Sequence, residues 1–313
     1  MTALAPEPVT PAARLAEKLG ALLSPATVLR RNEPLAKRTT LRVGGPAEVF
    51  VEPASEAELS VVLRFCHANG VPFFVLGRGS NLLIRDGGIR GVVIHLGAPA
   101  FSQIDLADGR LRCGAGAKLR DIALTAKRHG LGGLEFLEGI PGNLGGALRM
   151  NAGAMNGWTF DAVESLRFMD YTGQVHQRAA SEVPTTYRSC PLLKNAIALG
   201  ATLHGTTTPP DQIEARLAEC QKKRWTSQPK EPSAGCMFKN PPTIPAGKLV
   251  EELGLKGTRV GGAMVSPVHG NFIVNDQGAT ARDVLALLDL VRRTARAQRG
   301  IELETEVEII GED

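Results

Sequence analysis

Residues 71–83 read VPFFVLGRGSNLL, an apolar run that ends in a glycine-rich loop. Val71–Leu76 is a continuous apolar run, the pattern of a strand buried on both faces. It runs into Gly77-Arg78-Gly79-Ser80-Asn81, where two glycines let successive backbone N–H groups turn inward beside two short polar side chains. Such a nest suits a pyrophosphate. Taken alone, a segment of this kind is more often an ordinary tight loop. It is not a Rossmann turn, because Leu82 stands where the last glycine is needed. Nor does Gly-Lys-Ser/Thr follow, so it is not a P-loop.

Strand-like and helix-like pieces alternate on either side. Toward the N-terminus, Arg42–Glu52 reads as a strand. Ser55-Glu56-Ala57-Glu58 reads as a capping box opening a helix, with Leu59, Val62, Leu63 and Cys66 on one face and Gly70 as its stop. Ala12–Leu23 has helical spacing, and the Pro/Ala-rich residues 1–11 are expected to lack order. Toward the C-terminus come a strand over Gly91–Leu96, another over Arg110–Cys113 and a helix over Leu119–His129. A hairpin joins Ser165–Tyr171 to Gln174–Gln177, and Ala196–His204 is a further strand. Thr206–Asp211 (TTTPPD) reads as a linker into a helix over Gln212–Arg224. Short elements at Lys248–Leu253 and Asn271–Val274 precede a helix over Ala281–Gln298, capped by Thr280 and stopped by Gly300. An alternating strand, Ile301–Ile310, ends the chain. The pattern predicts an α+β protein with a tail and helix (1–34), two subdomains (35–98 and 99–205) and a C-terminal domain (206–313).

Composition narrows the function classes. The 36 basic and 32 acidic residues are interspersed, with a net charge of +4 and no basic block, so nucleic acid is not an expected partner. A small anionic ligand fits that balance. The five cysteines form no CxxC pair, which points to a reducing compartment. With no signal peptide or membrane-length apolar run, the chain is expected to be cytoplasmic and not membrane-inserted. No metal site is expected, and a monomer is favoured.

Further motifs concentrate polar and glycine residues. Gly133–Gly157 (GLEFLEGIPGNLGGALRMNAGAMNG) carries Gly142, Gly145, Gly146, Asn151 and Gly153, where bare backbone can lie against a flat ring or a phosphate. Ser233–Pro241 (SAGCMFKNP) places Cys236, Lys239 and Asn240 together, although a free cysteine is more often an apolar filler. Tyr187-Arg188-Ser189 offers a guanidinium that is either a surface cation or a bidentate carboxylate clamp. In IELETEVEII, alternation puts Glu302, Glu304, Glu306 and Glu308 on one face. That face reads by default as solvated, and the residues alone do not select one glutamate from it.

In this order, together with TLRVGGPA (Thr40–Ala47), AGKLVEELGLKG and VGGAMVSPVHGNFIVN, these segments resemble the UDP-N-acetylenolpyruvoylglucosamine reductase (MurB) family. The resemblance covers roughly residues 35–311. It implies an FAD-binding fold of the vanillyl-alcohol-oxidase type in the first two subdomains, closed by a C-terminal substrate-binding domain. Gly77, Arg78, Gly79, Ser80, Asn81, Leu82, Gly142, Gly145, Gly146, Asn151 and Gly153 would hold non-covalent FAD. NADPH would reduce it, and UDP-N-acetylglucosamine enolpyruvate would then be reduced. Arg188 would stabilise the enolate-like charge and Glu306 would assist as a polarising or proton-sharing carboxyl, with Glu304 as the competitor for the glutamate's place. Tyr187, Lys239, Asn240 and His269 would contact substrate or NADPH, although a histidine near a strand start is as readily a satisfied structural one.

The chain departs from the family pattern twice. Cys236 stands where serine is usual as the general acid; a thiol of ordinary pKa, about 8.5, is the stronger acid and should be sensitive to thiol reagents. Tyr171 and Tyr187 are the only tyrosines, which suggests the shorter subclass without the tyrosine-loop insert. Two other readings are an oxygen-using oxidase on the same fold, distinguished by the response of bound flavin to NADPH, and a nucleotide-sugar binding protein, distinguished by a colourless protein that takes up no FAD.

Overall fold

In the computed structural model, which describes residues 10–313, the apolar run before the first glycine loop is a strand of a mixed sheet. Its first subdomain contains α1 (Pro11–Gly20), β1 (Val28–Pro34), β2 (Pro46–Glu52), α2 (Glu56–Ala68), β3 (Phe73–Leu76), β4 (Leu82–Ile84) and β5 (Ile89–His95). The sheet order is β1-β2-β5-β3, antiparallel at β1/β2 and parallel elsewhere. Val49, Val51, Val92 and Ile94 face one core, while Phe50, Leu76 and Val93 face another. Burial on both faces is why β2 and β5 read as largely apolar runs, whereas β3, expected to be buried, lies at the sheet edge with Phe73, Phe74 and Val75 half-buried. The strand expected from Arg42 begins only at Pro46, because Arg42 takes a left-handed φ of 57° that ends any extended run before it.

Only half of the expected capping box forms. Ser55 Oγ accepts the Glu58 N–H at 3.3 Å, but the Glu58 carboxylate turns away. It accepts from the backbone N–H of Ser24 at 2.7 Å, from that of Ala54 at 3.0 Å and from the Thr27 hydroxyl. The glutamate thus pins the α1–β1 connection to the start of α2.

The second subdomain comprises β6 (Ile104–Ala107), β7 (Arg110–Gly114), α3 (Leu119–Arg128), β8 (Leu131–Gly132), α4 (Leu144–Arg149), β9 (Gly153–Ala154), β10 (Gly157–Trp158), β11 (Val163–Asp170), β12 (Val175–Ala179), β13 (Ala196–His204) and β14 (Thr206–Thr207). Its antiparallel sheet has the order β12-β11-β13-β7-β6 and includes the expected hairpin, with Asp170 Oδ1 accepting the N–H groups of Thr172 and Gln174 across the turn. The segment expected as a linker is partly strand, since β14 pairs with β8. Helix α5 (Pro210–Ser227) then buries Ile213 and Leu217 in the same core as Leu134, Phe136 and Leu137. By packing, α5 covers the second subdomain and is not part of the third. Its apolar stripe finds its partner surface there, which no local signal reveals.

The third domain holds β15 (Ser233–Cys236), α6 (Ala246–Glu252), β16 (Arg259–Val260), β17 (Ala263–Val265), β18 (Phe272–Asn275), α7 (Ala281–Arg299) and β19 (Glu308–Ile310), with sheet order β15-β18-β17-β16. Thr280 and Asp283 form the box that opens α7, and Gly300, at φ 63°, closes it. Asp86 of the first subdomain accepts the N–H groups of Ala281 and Arg282 at 2.8 and 3.0 Å, which docks α7 by its N-terminus. Leu41, Val43 and Leu83 also belong to this domain's core.

The last expected strand, Ile301–Ile310, is regular only at β19, which pairs in parallel with β4. Before that point the chain runs beside residues 237–239 instead, with Lys239 N–H donating to Glu304 O at 2.9 Å and Glu306 N–H to Met237 O at 2.8 Å. Changing partners midway breaks the alternation that one uniform strand would keep.

Candidate active site

The partner change sets Glu306 at the meeting point of all three units. Its N–H is held by Met237, and its carbonyl accepts Asn81 Nδ2 at 3.1 Å from the first glycine loop. Thr40 Oγ1 donates to Ser233 O at 2.7 Å, tying the same loop region to β15. The Glu306 side chain is only 12% exposed and Oε1 accepts Arg188 Nε at 2.7 Å, whereas Glu304 is 75% exposed and pairs with Lys239 on the rim. The inward glutamate is therefore Glu306.

Arg188 lies in a tight loop closed by Thr186 N–H to Ser189 O (2.9 Å) and Ser189 N–H to Thr186 O (3.2 Å). Its own φ is 55°, a left-handed conformation for a non-glycine residue, of the kind found where surrounding contacts over-determine the backbone. Nη1 reaches Gly153 O at 3.4 Å, and the guanidinium faces the rings of Trp158 and Tyr187. Asn151 is buried and supports this loop, donating Nδ2 to Thr186 O and accepting Phe160 N–H at Oδ1.

Cys236 is half-buried at the end of β15, after a register shift between Ser233 and Cys236 in the pairing with β18. Burial pushes its thiol up to about 12; the Glu306 carboxylate adds to the rise, while Arg188 and a hydrogen bond with Asn271 oppose it. The group therefore stays protonated at neutral pH. Burial, then Glu306, also raises the Tyr187 phenol, which senses Arg188, Cys236 and Lys239 as well. Arg188, Glu306, Cys236 and Tyr187 thus share one electrostatic environment, with the Lys239 ammonium at its edge.

Asn240 and His269 hold local contacts within the third domain. Asn240 accepts the Ala246 N–H at 3.0 Å and caps α6. His269 accepts the Asn271 N–H at Nδ1 (3.1 Å), packs edge-on to Phe272 and has its pKa lowered by burial, then by Lys256. Its described contacts lie within the third domain, and its partner Asn271 is also the one that bonds the Cys236 thiol.

Between the two N-terminal sheets lies a cavity of about 290 Å³, lined by Leu76, Gly77, Gly145, Gly146, Arg149 and Glu308 among others. A side chain added at Gly77 or Gly146 would meet no protein atom within 4 Å, so their bare faces serve open space. A Cβ at Gly142 would come within 3.3 Å of Ser80 Oγ, so the two glycine motifs lie side by side. Bare backbone, apolar walls and a nearby run of N–H groups fit FAD. Gly79 and Gly153 also have reasons internal to the protein, the first abutting the backbone of Arg38 and Thr39 and the second lying beneath Trp158. Arg78 is exposed, and Leu82 is buried in β4. Among the described residues no cluster of His, Cys, Asp and Glu could hold a metal, and no helix is long and apolar enough to cross a membrane.

Sequence reasoning missed Asn271, which is buried and exchanges two hydrogen bonds with the backbone of Phe238, and Trp158, which faces Arg188. The signal for Trp158 was a large aromatic residue within a glycine-rich stretch of a chain poor in aromatics.

Residues 47–178 match the model of an FAD-binding domain, and residues 228–310 that of the UDP-N-acetylenolpyruvoylglucosamine reductase C-terminal domain, which begins where α5 ends. The chain is 44% identical over 291 residues to the UDP-N-acetylenolpyruvoylglucosamine reductase of Listeria monocytogenes, covering 92% of this chain and 97% of that one. It is 46% identical over 285 residues to that of Heliobacterium modesticaldum, covering 90% of each. The crystal structure of the Thermus caldophilus enzyme matches with a TM-score of 0.79 and 41% identity, over 90% of this chain and 99% of that one. Over nearly its whole length, the chain belongs to the UDP-N-acetylenolpyruvoylglucosamine reductase family.

Proposed function

We propose that this protein reduces UDP-N-acetylglucosamine enolpyruvate to UDP-N-acetylmuramate with NADPH, in the cytoplasm, as a step of peptidoglycan precursor synthesis that serves cell-wall growth, cell shape and division. The observation that carries this reading is the Arg188–Glu306 pair at 2.7 Å beside the protonated Cys236, where the FAD-binding subdomains meet the C-terminal domain. Gly77, Gly79, Ser80, Asn81, Gly142, Gly145 and Gly146 would hold FAD, which when bound supplies hydride transfer between NADPH and the vinyl carbon.

Each protein group has a task set by the charge that develops. Hydride addition to an enolpyruvyl ether drives negative charge into its carboxylate, and Arg188 is placed to stabilise it. Glu306 orients that guanidinium through Nε. The Cys236 thiol, held neutral by its surroundings, has a proton to give to the adjacent carbon. Tyr187 and Lys239 stand at the entrance and would contact the nucleotide-sugar.

Anaerobic stopped-flow mixing tests the assignment. NADPH should bleach the bound flavin, and the enolpyruvyl substrate should restore its colour. Cys236→Ala should slow the second step far more than the first, Cys236→Ser should keep substantial activity, and Glu306→Gln should impair turnover where Glu304→Gln does not. A colourless protein that takes up no FAD would overturn the proposal.

A further inference from the structure

The orientation of Arg188 depends on more than Glu306. β9 and β10 form a hairpin whose central residues, Met155 and Asn156, both have positive φ (51° and 65°), as a two-residue turn matching strand twist requires. Its register sets Trp158 opposite Gly153. A Cβ at Gly153 would fall 2.5 Å from the indole, so the ring lies across bare backbone. Asp161 accepts the Trp158 N–H at 2.9 Å and fixes the exit from the hairpin.

The ring held in this way meets the Arg188 guanidinium at 5.3 Å from its centre, and Tyr187 meets it at 5.1 Å. The two rings contact each other edge-to-face at 5.6 Å. Nε is taken by Glu306 and Nη1 by Gly153 O, while Nη2 has no hydrogen-bond partner among the described residues. Tyr187 is 52% exposed, so it is the looser wall. Trp158 is half-buried, hydrogen-bonded through its backbone and seated on Gly153. A cavity of about 490 Å³ lined by Asn151, Trp158, Thr186 and Tyr187 lies alongside, so without the indole that side of the guanidinium would open to solvent.

We propose that Trp158 is a positioning residue. It holds the Arg188 guanidinium by cation–π contact, so that the Nη2 edge is already aimed at the substrate carboxylate when charge develops there. The proposal rests on the reductase reading above. Its physical basis is that indole is the strongest of the aromatic faces for a cation, and that a donor oriented in advance needs no reorganisation in the transition state.

Trp158→Phe and Trp158→Leu, each loaded with FAD, separate ring from bulk. Under anaerobic stopped flow, Trp158→Leu should slow recovery of flavin colour by substrate about tenfold more than it slows bleaching by NADPH, while Trp158→Phe should recover most of the loss. Leu performing as well as Phe would overturn the proposal, since bulk alone would then suffice. A second measurement needs no substrate. ¹⁵N guanidinium NMR, with the Arg188 signals assigned through Arg188→Lys, should show slow exchange of the two Nη groups in the wild type and faster exchange in Trp158→Leu. Equal exchange rates would overturn the positioning role even if turnover is normal. A wild type whose flavin colour the substrate cannot restore would instead count against the reductase reading, leaving the NMR comparison to judge Trp158.

Discussion

Asn81 holds Glu306 by its backbone. The Asn81 side chain donates to the Glu306 carbonyl at 3.1 Å, and the Asn81 carbonyl accepts the Glu308 N–H at 3.0 Å. One residue of the first glycine loop therefore sets the position of a carboxylate remote in the chain. The first glycine loop and the segment carrying Glu306 are thus joined directly.

Asn81→Ala removes the side-chain bond and leaves the main-chain one. Thermal melting should show a loss of about 1 kcal/mol, the usual worth of one neutral hydrogen bond. Turnover should fall more than that modest loss suggests, because Glu306 and Arg188 shift together. Wild-type kcat in a destabilised Asn81→Ala would show that the two sites are independent.

Gly146 lies within α4, and a Cβ there meets no protein atom. Gly146→Ala should stabilise the apoprotein by about 0.5–1 kcal/mol through helix propensity. FAD affinity, measured by flavin fluorescence titration, should fall because the methyl enters the cavity. A drop in apoprotein melting temperature, or unchanged FAD affinity, would contradict the placement of the cofactor against this face.

Alkylation reports on the thiols. Burial pushes Cys66 up to about 11 and Cys113 up to about 12, and raises Cys190 and Cys220 as well. Cys236 is also pushed up to about 12, by burial and then Glu306, so the reagent sensitivity expected from an ordinary thiol does not hold at neutral pH. Iodoacetamide at pH 7.5 should leave native Cys236 largely unmodified by mass spectrometry, with the rate still climbing past pH 9. Rapid, pH-independent labelling of Cys236 at pH 7 would refute this environment.

Glu58 links stability to acid. Desolvation acts to raise its pKa, but hydrogen bonds from Thr27, Ser24 and Ala54 outweigh it and hold the carboxyl down to about 2. A carboxyl whose folded pKa lies below its unfolded value contributes stability above the unfolded pKa, near 4.5. That contribution is lost as pH falls through the folded value of about 2. Glu58→Gln should therefore cost about 1–2 kcal/mol at pH 7, discounted for partial exposure, and little at pH 2. Denaturant melts at both pH values provide the check, and an equal loss at each would remove the ionic contribution.

Much of the architecture could be read locally. Thr280 and Gly300 marked α7 because caps act within a single turn. Ala196–His204 matched β13 from end to end because a strand in the middle of a sheet is apolar throughout. The glycine motifs were visible as composition, although Gly79 and Gly153 turned out to meet packing needs of the protein as well. Residues acting across the joint left weaker traces. Four glutamates on one alternating face looked equivalent, and α5 looked like the start of a third domain.

From the sequence alone came the α+β alternation, the two glycine loops and a collinear set of motifs, all carried by short-range periodicity and turn chemistry. Tertiary structure alone decided that Glu306 and not Glu304 turns inward, that α5 belongs with the second subdomain, and that Trp158 walls Arg188. The reason is physical. Each of these rests on a contact between segments far apart in the chain, and the change of strand partner before β19 rotates the glutamates relative to one another in a way no alternating pattern encodes.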